Sequence, residues 1–358
     1  MMNLPAVTVN SPLSLGVSTD GESLVDGGLP GELALAEKLV SGQCQKPLLS
    51  PLIDRGVIRA SGAEAADFLQ NLLTNDIKAI APGQVRLAGF CTPKGRLLAL
   101  FHVVRDPAAI DDFLLILPAG LLAPMLKKLS MYVLRSKLKL TDATTQVALF
   151  GVASADRDAN AVLPAPTFAL TDATIATGVG APMLSLLVVG TETAAAQWTA
   201  WQTQTDAVGA AAWRWLEIVA GVPRVVAATQ EAFVPQMLNM ELLAVNGVNF
   251  RKGCYPGQEI VARTQYLGKI KRRMFRAHLD QTADIAAGTD VFAPETGEQH
   301  CGTVVSVAPC PSGGLDLLVC VQTGAVEAGE VRVGSLAGPR LSFLDLPYSL
   351  DGPDTRSA

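Results

Sequence analysis

Residues 250–259 read F-R-K-G-C-Y-P-G-Q-E, a segment that joins a thiol, two glycines and two adjacent cations. Gly253 has a conformational freedom that residues with side chains lack, and Pro256 suits the first turn of a helix. We therefore predict that residues 248–250 end a strand and that a helix continues from Gln258. A strand-to-helix turn of this composition is a candidate functional site.

The predicted helix would carry Ile260, Thr264 and Leu267 on one face. The unpaired N–H groups of its first turn would attract an anion. Together with the neighbouring Arg and Lys, they are expected to lower the pKa of Cys254. The alternative is that Cys254 is a small buried packing residue, as free cysteines commonly are.

The segment resembles the K-G-C-Y-x-G-Q-E signature of the YgfZ-type folate-binding proteins, which are relatives of the glycine-cleavage T-protein, an aminomethyltransferase. Other stretches resemble further motifs of that family, in the same order along the chain. They are D-F-L-Q-N-L-L-T-N-D at 67–76, C-T-P-K-G-R at 91–96, A-G-V-P at 220–223, F-V-P-Q-M-L-N at 233–239, K-R-R at 271–273 and L-P-Y-S-L at 346–350. The resemblance covers residues 51–350 and leaves residues 1–50 unmatched.

The resemblance implies an α+β fold, with T-protein-like folate-binding α+β lobes followed by a small C-terminal β-barrel. Residues 1–48 are predicted to be a largely irregular extension, because the first 30 are rich in Gly, Ser, Pro and Thr without periodicity. Residues 49–270 would form the folate-binding module of two lobes, the second at about 146–212. Residues 271–350 would form the barrel, since their short Val- and Gly-rich segments show no long helical pattern.

Hydrophobic periodicity places individual elements within this plan. It predicts helices at 32–39, 63–73, 121–134 and 192–204, strands at 52–60, 113–117, 137–140, 147–152 and 183–189, and a hairpin turn at 93–95.

Composition fits a globular chain, with 358 residues that are 49% apolar and a net charge of −5. The longest apolar stretch, at 113–126, is too short to span a bilayer, and the N-terminus lacks the basic start of a secretory signal. We expect a cytoplasmic protein with no membrane partner. The six cysteines form no C-x-x-C pair and the three histidines are isolated, so no metal site is predicted. Three of the cysteines, at 301, 310 and 320, are expected on separate barrel strands.

Positive charge is concentrated in one stretch. Residues 251–276 hold eight Lys and Arg against one Glu, which is +7 locally and leaves −12 for the rest of the chain. Such a strip suits an anionic ligand or a weak RNA contact. The RNA contact would use Lys269, Lys271, Arg272 and Arg273, and a solvated surface is the alternative reading.

Folate presents a flat pterin, an aromatic ring and an anionic tail, so its site needs an apolar slot, a few polar groups and a cation. The resemblance implies that Trp213 stacks on the pterin, with core packing as the alternative. It also implies that Cys254 is the candidate catalytic thiol. The other folate-binding residues that it suggests are Glu217, Lys252, Gly253, Tyr255, Gly257, Gln258, Glu259 and Arg263.

Two departures from the T-protein pattern bear on activity. Val219 stands where the E-A-G motif has its carboxylate, and Glu217 is the nearest substitute. Residues 97–100 are Leu-Leu-Ala-Leu where the T-protein has an acidic pair associated with activating its amine substrate. Without a general base there, aminomethyl transfer by the usual route is not expected.

The resemblance implies a tetrahydrofolate-binding accessory protein that supports iron–sulfur cluster assembly or repair and iron–sulfur-dependent tRNA modification. Its expected partners are a reduced folate and iron–sulfur proteins such as tRNA-modifying enzymes. Two alternatives stay open: a folate-dependent one-carbon transferase of the aminomethyl type, and a tRNA-binding protein. Classical turnover is left open too, as is the role of Cys254 as nucleophile, transient cluster ligand or redox thiol.

Overall fold

A computed structural model describes residues 28–44, 46–82, 84–106, 109–155, 167–169, 182–268, 270–281 and 284–352. The helices in these ranges are α1 (Gly28–Val40), α2 (Ala65–Gln70), α3 (Leu122–Val133), α4 (Thr191–Trp201), α5 (Ala210–Val219), α6 (Gln258–Tyr266) and α7 (Thr323–Ala328). The strands are β1 (Leu48–Pro51), β2 (Arg55–Ser61), β3 (Val85–Cys91), β4 (Leu97–Arg105), β5 (Phe113–Pro118), β6 (Lys139–Asp142), β7 (Val147–Ser154), β8 (Thr167–Ala169), β9 (Met183–Gly190), β10 (Asp206–Ala207), β11 (Arg272–Leu279), β12 (Asp290–Phe292), β13 (His300–Pro309), β14 (Leu315–Gln322), β15 (Arg332–Val333) and β16 (Ser342–Leu344).

The first lobe is a five-stranded antiparallel sheet in the order β3-β4-β5-β2-β6. Its central strands are almost wholly apolar, and every residue of β5 is buried. Strands that are apolar on both sides need a cover on both faces. One cover is α3, which buries Met125 and Leu129. The predicted hairpin at 93–95 is confirmed: it joins β3 to β4 at the edge of this sheet.

The second lobe is another five-stranded sheet, in the order β10-β1-β7-β9-β8. Its pairs are antiparallel except for β1 with β10. The ring of Phe150 stacks on Trp198 and meets Trp201 edge-on, at 5.5 Å between centroids in both cases. Trp198 and Trp201 are therefore core residues, and they fix α4 on this sheet.

The C-terminal part is a six-stranded sheet in the order β15-β12-β13-β14-β11-β16, consistent with a half-barrel. Its paired strands are all antiparallel. The indole Nε1 of Trp215 on α5 donates to the buried Asp316 carboxylate at 2.9 Å, which fastens this sheet to the α+β lobes. The mixed fold predicted from the sequence is confirmed.

The helix predicted at 32–39 is confirmed as α1, which runs from Gly28 to Val40 within the largely irregular extension expected over residues 1–48. Its Leu33, Ala36 and Leu39 belong to the main hydrophobic core. The buried Glu32 carboxylate accepts the Gly209 backbone N–H at 2.8 Å, just before α5. This helix is thus part of the folded unit, while residues 1–27 lie outside the described residues.

None of the helices in the described part of the chain is long and apolar enough to cross a membrane.

Candidate functional site

The signature loop, residues 248–257, enters through an asparagine turn rather than from a strand. The Oδ1 atom of Asn249 accepts the backbone N–H groups of Arg251 and Lys252 at 2.8 and 3.0 Å. The Asn249 N–H in turn donates to the Thr74 carbonyl at 3.0 Å. The prediction that residues 248–250 end a strand is therefore wrong, because a side chain replaces the strand ladder as the partner of these amides.

Gly257 fixes the far end of the loop. It is the residue before α6, its φ is +82°, and a Cβ there would lie 2.4 Å from the Thr92 carbonyl oxygen and 2.7 Å from Gly95 Cα. Only glycine fits both the left-handed backbone and this close approach. The strained position is thus Gly257 and not Gly253, which has an ordinary φ and open space around it. Pro256 precedes the helix rather than forming its first turn.

The hairpin that receives Gly257 is closed by hydrogen bonds of its own and held to a neighbouring segment. Gly95, with φ of +71°, donates its N–H to the Thr92 carbonyl at 2.9 Å, and Thr92 donates to the Arg96 carbonyl at 2.8 Å. The Arg96 guanidinium reaches across to the Ala232 carbonyl at 2.8 Å. The C-T-P-K-G-R motif therefore supplies a platform for the signature loop.

Lys252 fixes the middle of the loop. It is 8% exposed, and its Nζ donates to the carbonyl of Gln70, the last residue of α2, and to that of Leu73 just beyond it. The ammonium also lies 5.0 Å from the centre of the Tyr255 ring. Burial lowers the pKa of Lys252 to about 8, against the opposing charges of Asp76 and Cys254. In this structure the cation caps a helix end.

Cys254 projects from this fixed loop into solvent. Its thiol is exposed, whereas those of Cys91, Cys301 and Cys320 are buried. Burial raises the pKa of Cys91 and Cys320 to about 12. The structure therefore does not support the packing alternative for Cys254, because its thiol is accessible and within electrostatic reach of Lys252.

Tyr255 is the buried aromatic residue of the signature loop. It is 7% exposed, and burial together with the Cys91 thiol raises its pKa, so the ring stays a neutral phenol. The Tyr255 carbonyl accepts the Gln258 N–H at 3.1 Å. Glu259 and Arg263 are exposed on the following helix. The helix buries Val261, while Ile260 and Leu267 are 36% and 84% exposed. The face that carries Ile260 and Leu267 is therefore not the buried face of α6.

Trp213 and Glu217 stand on α5 and make contacts with other elements. Trp213 is 2% exposed and packs on β7 so closely that a Cβ at Gly151 would lie 2.5 Å from its ring. Its Nε1 has no hydrogen-bond partner among the described residues. Glu217 is 6% exposed and pairs with Arg55 at 2.5 Å. Both side chains are thus parts of the interior of the α+β lobes.

A buried ion cluster surrounds Glu217, and sequence reasoning missed it. Asp54 pairs with Arg224 at 2.6 Å and with Arg55 at 3.2 Å. Burial raises the pKa of Asp54, but Arg55 and Arg224 lower it by more, so the carboxylate stays charged. Buried ionic groups are costly unless paired, and they concentrate at functional sites. The available signal was the pair of charged residues at 54 and 55 between apolar strands.

Other family motifs contact the segment just before the signature loop, or one another. Thr74 Oγ1 donates to the Gly247 carbonyl at 2.7 Å, and Asn75 Nδ2 donates to the Asn246 carbonyl at 2.6 Å. The Tyr348 hydroxyl donates to the Gly221 carbonyl at 3.0 Å, which joins L-P-Y-S-L to A-G-V-P. The fold thus brings into contact motifs that are distant in sequence.

The basic strip is only partly free. Arg273 pairs with Glu241 at 2.5 Å, while Lys271 is exposed and Arg272 half-buried. Lys269, the fourth residue of the predicted RNA contact, lies outside the described residues. Of the predicted RNA contact, the described residues that keep solvent-accessible charge are therefore Lys271 and Arg272.

The structure also brings together three potential metal ligands that sequence reasoning kept apart. Ligand atoms of His278, Cys310 and Asp316 lie within 4.8 Å of one another, with Cys310 following β13 rather than on a strand of its own. Asp316 accepts hydrogen bonds from Arg276 at 2.9 Å and His278 at 2.8 Å, besides the one from Trp215. The Asp316 carboxylate already accepts hydrogen bonds from three side chains of the protein. We therefore assign the cluster a structural role.

Comparison with solved structures confirms the T-protein-like fold. The glycine cleavage system aminomethyltransferase T from Bartonella henselae matches with a TM-score of 0.63 at 20% identity, over 89% of this chain and 90% of that one.

Comparison with curated sequences gives the family, although no family model matches the chain. The chain is 31% identical over 315 residues to the tRNA-modifying protein YgfZ of Photorhabdus laumondii subsp. laumondii, covering 85% of this chain and 93% of that protein. The YgfZ protein of Serratia proteamaculans is 30% identical over 84% of this chain and 92% of its own length. That of Colwellia psychrerythraea is 28% identical over 86% and 95%. The chain therefore belongs to the YgfZ family.

Proposed function

We propose that this chain is a cytoplasmic tetrahydrofolate-binding accessory protein for iron–sulfur cluster assembly or repair and for iron–sulfur-dependent tRNA modification. The observation that carries the proposal is the exposed Cys254 thiol on a loop fixed by Lys252 and Gly257. Thiolates are the ligands that iron–sulfur clusters take. A rigidly presented, accessible thiol suits contact with such a cluster on a client protein. The relatives named tRNA-modifying proteins support the RNA-modification part.

The residues present fit a folate in kind. The unpartnered indole N–H of Trp213 offers a buried donor, and Glu217, also on α5, offers a further polar group that Arg55 on β2 holds in place. The exposed Arg263 can meet the anionic tail. A bound tetrahydrofolate would supply a one-carbon carrier. The chain's own part is to hold the pterin by its polar edge and to neutralise the tail.

Calorimetry with tetrahydrofolate tests the folate part. Saturable binding is expected, and Trp213→Phe should weaken it about tenfold, because it removes the indole N–H while keeping an aromatic ring. Trp201→Phe is the matched control, since Trp201 packs on Phe150 in the second lobe, and it should leave the affinity unchanged. No binding at millimolar tetrahydrofolate would remove the folate hypothesis.

The transferase alternative is disfavoured by residues 97–100. Leu97 is fully buried and Leu98 is 4% exposed. The Leu97 carbonyl accepts the Glu231 N–H at 2.7 Å, and the Leu97 N–H donates to the Phe233 carbonyl at 2.8 Å. A carboxylate that holds an amine substrate is absent from this segment, and positioned acid–base groups contribute about a hundred- to ten-thousand-fold. The purified protein should therefore not move a one-carbon unit from glycine-derived or methylated amines to tetrahydrofolate. Robust turnover with such a donor would favour the transferase.

A further inference from the structure

A second basic stretch runs from the second half of α3 to the start of β6, outside the strip at 251–276. Residues 127–139 hold five Lys and Arg and no Asp or Glu, although the whole chain carries a net charge of −5. The five cations are Lys127, Lys128, Arg135, Lys137 and Lys139, and all but the half-buried Lys128 are exposed. None of them forms an ion pair with another described residue, whereas Arg59 and Lys78 in the same lobe do. Their charge is therefore open to an external anion.

Three large hydrophobic side chains are exposed between these cations. Met131 is 62% exposed, Tyr132 42% and Leu134 89%. Leu134 follows the last residue of α3 with a φ of +44°, which is a strained backbone for a leucine. A strained backbone persists where its surroundings require it, and such positions concentrate at ligand contacts. The stretch thus presents apolar surface to solvent as well as charge.

Tyr132 is the aromatic group of this surface. Its ring meets the buried Phe90 ring edge-on, with the centroids 6.0 Å apart and an angle of 85° between the ring planes. This contact holds the Tyr132 ring in one orientation while much of the residue stays exposed. Lys128 lies four residues earlier, so the ammonium and the ring share one face of α3. A fixed ring beside a cation is the arrangement on which nucleic-acid bases stack.

An open groove runs beside this ring and is lined by Tyr132, Leu134 and Arg135. Glu64 also lines it, and the Oε2 atom of that carboxylate accepts the Lys137 backbone N–H at 2.9 Å. The acid is thus engaged by the backbone, while the side chains of Arg135 and Lys137 are exposed. Around the groove, cations therefore outnumber acids next to an aromatic ring.

We propose that the exposed residues of 127–139, the α3 patch, bind single-stranded RNA, with a base stacked on Tyr132 and phosphates held by Lys128, Arg135 and Lys137. Proteins that hold single strands combine a cationic groove with aromatic rings on which bases stack. The oriented ring favours a base over a lipid acyl chain, because an acyl chain gains nothing from the orientation of the ring. The proposal adds a direct RNA contact away from Cys254, and its choice of RNA rests on the RNA-modification part of the proposed function.

Fluorescence anisotropy at low salt, with a labelled single-stranded RNA of about 16 nucleotides, tests the stacking contact on the full chain. The wild type should bind saturably, and Tyr132→Leu should bind at least about fivefold more weakly, because it loses the aromatic face but keeps an apolar side chain. Tyr266→Leu is the matched control at another exposed tyrosine, on α6, and should keep the wild-type affinity. Equal losses in the two variants would overturn the stacking contact.

An abasic oligomer of the same length separates the bases from the phosphates. The wild type should bind it at least about fivefold more weakly than the RNA. Tyr132→Leu should bind it as tightly as the wild type does, since no base is left to stack. Both ligands meet the same wild-type protein, so a folding defect cannot imitate the first result. Equal affinity of the wild type for RNA and abasic oligomer, or no RNA binding at all, would overturn the proposal.

The double variant Arg135→Gln/Lys137→Gln tests the phosphate contacts. The slope of log affinity against log salt should become shallower by about 0.7 for each cation removed, whereas Tyr132→Leu should leave that slope as it is. Lys271→Gln/Arg272→Gln removes the same charge from the basic strip and should change neither the affinity nor the slope. A loss confined to the Lys271→Gln/Arg272→Gln variant would move the RNA to the strip and contradict the α3 patch.

Two further measurements separate this proposal from its neighbours. Sedimentation with vesicles of phosphatidylcholine and phosphatidylglycerol in equal parts tests a lipid surface, and binding to these vesicles without RNA binding would overturn the proposal in favour of lipid. Cys254→Ala should bind the RNA as the wild type does. If Cys254→Ala also restored tRNA modification in cells, the role of the thiol would fall while RNA binding stood. Absence of RNA binding would sink the α3 patch alone and leave the role of the thiol standing.

Discussion

Gly257 approaches Thr92 so closely that a Cβ atom on residue 257 would stand 2.4 Å from the Thr92 carbonyl oxygen. The backbone of Gly257 is also left-handed, with φ of +82°. This one contact joins the signature loop to the hairpin between β3 and β4. It ties the exposed Cys254 to a rigid edge of the first lobe, so the position of the thiol depends on a glycine three residues away.

Gly257→Ala should lower the free energy of unfolding by about 2 kcal/mol or more, through left-handed strain and the clash with Thr92. Gly253→Ala is the matched control in the same loop, since nothing lies within 4 Å of a Cβ there, and its effect should be near zero. Urea unfolding of both variants measures the difference. Equal losses in the two variants would show that the loop is not held at Gly257.

Lys252→Met should destabilise the chain by about 1–3 kcal/mol, because the carbonyls of Gln70 and Leu73 lose a buried donor. Lys78→Met provides the control: Lys78 pairs with Asp67 on the surface, where both side chains are more than half exposed, and such pairs contribute about 0–1 kcal/mol. Urea unfolding compares them. A loss no larger than that of Lys78→Met would mean that Lys252 does not cap α2.

Cys254 should be the first cysteine to react with a small alkylating reagent at neutral pH. Cys91, Cys301 and Cys320 are buried and should label slowly. The Cys254 rate should fall in Lys252→Gln, which removes the neighbouring charge, and should hold in Lys127→Gln on α3. Mass spectrometry of peptides after brief labelling gives the order. Slowest labelling at Cys254 in the native protein would assign it to packing.

His102 should make the protein less stable in mild acid. Burial, with the charges of Arg55 and Arg224, lowers its pKa to about 3. In the unfolded state a histidine has a pKa of about 6.5. Below that pH the unfolded state binds a proton that the folded state does not, so the free energy of unfolding falls by up to about 1.4 kcal/mol per pH unit. The loss continues as pH drops towards 3.

Urea unfolding between about pH 4 and 6 checks this effect of His102. His102→Gln should flatten the pH dependence by up to one proton, whereas His300→Gln, at an exposed histidine, should leave it as it is. The same slope in His102→Gln and in the parent protein would contradict a neutral imidazole in the folded state.

Elements whose structure depends on a few neighbouring residues could be predicted from the sequence. The hairpin at 93–95 and the strand at 113–117 follow from turn residues and an apolar run, and β5 differs from that prediction by one residue. The sequence pattern drew attention to the conformational freedom of Gly253, although either glycine of the loop suits a turn. The close contact with Thr92, in the hairpin between β3 and β4, is what requires glycine at position 257. That contact is between residues remote in sequence, so no local pattern reveals it.

The charged pair at 54 and 55 indicates an ion cluster, but its partners could not be predicted because they are remote in sequence. Arg55 and Glu217 are 162 residues apart, and Lys252 and Gln70 are 182 apart. The hydrophobic periodicity of a single helix or strand carries no information about a pair this far apart in sequence. The same limit applies to α6, whose buried residue Val261 is set by how the loop meets the hairpin and not by its own pattern.

Complementation of a bacterium that lacks its own YgfZ gene tests the central claim most directly. Mass spectrometry of tRNA nucleosides would measure the products of iron–sulfur-dependent modification in that strain. The wild-type chain and Cys44→Ala should restore those nucleosides, and Cys254→Ala should fail although it accumulates to the same level as the wild type. Full restoration by Cys254→Ala would contradict the role given to the exposed thiol.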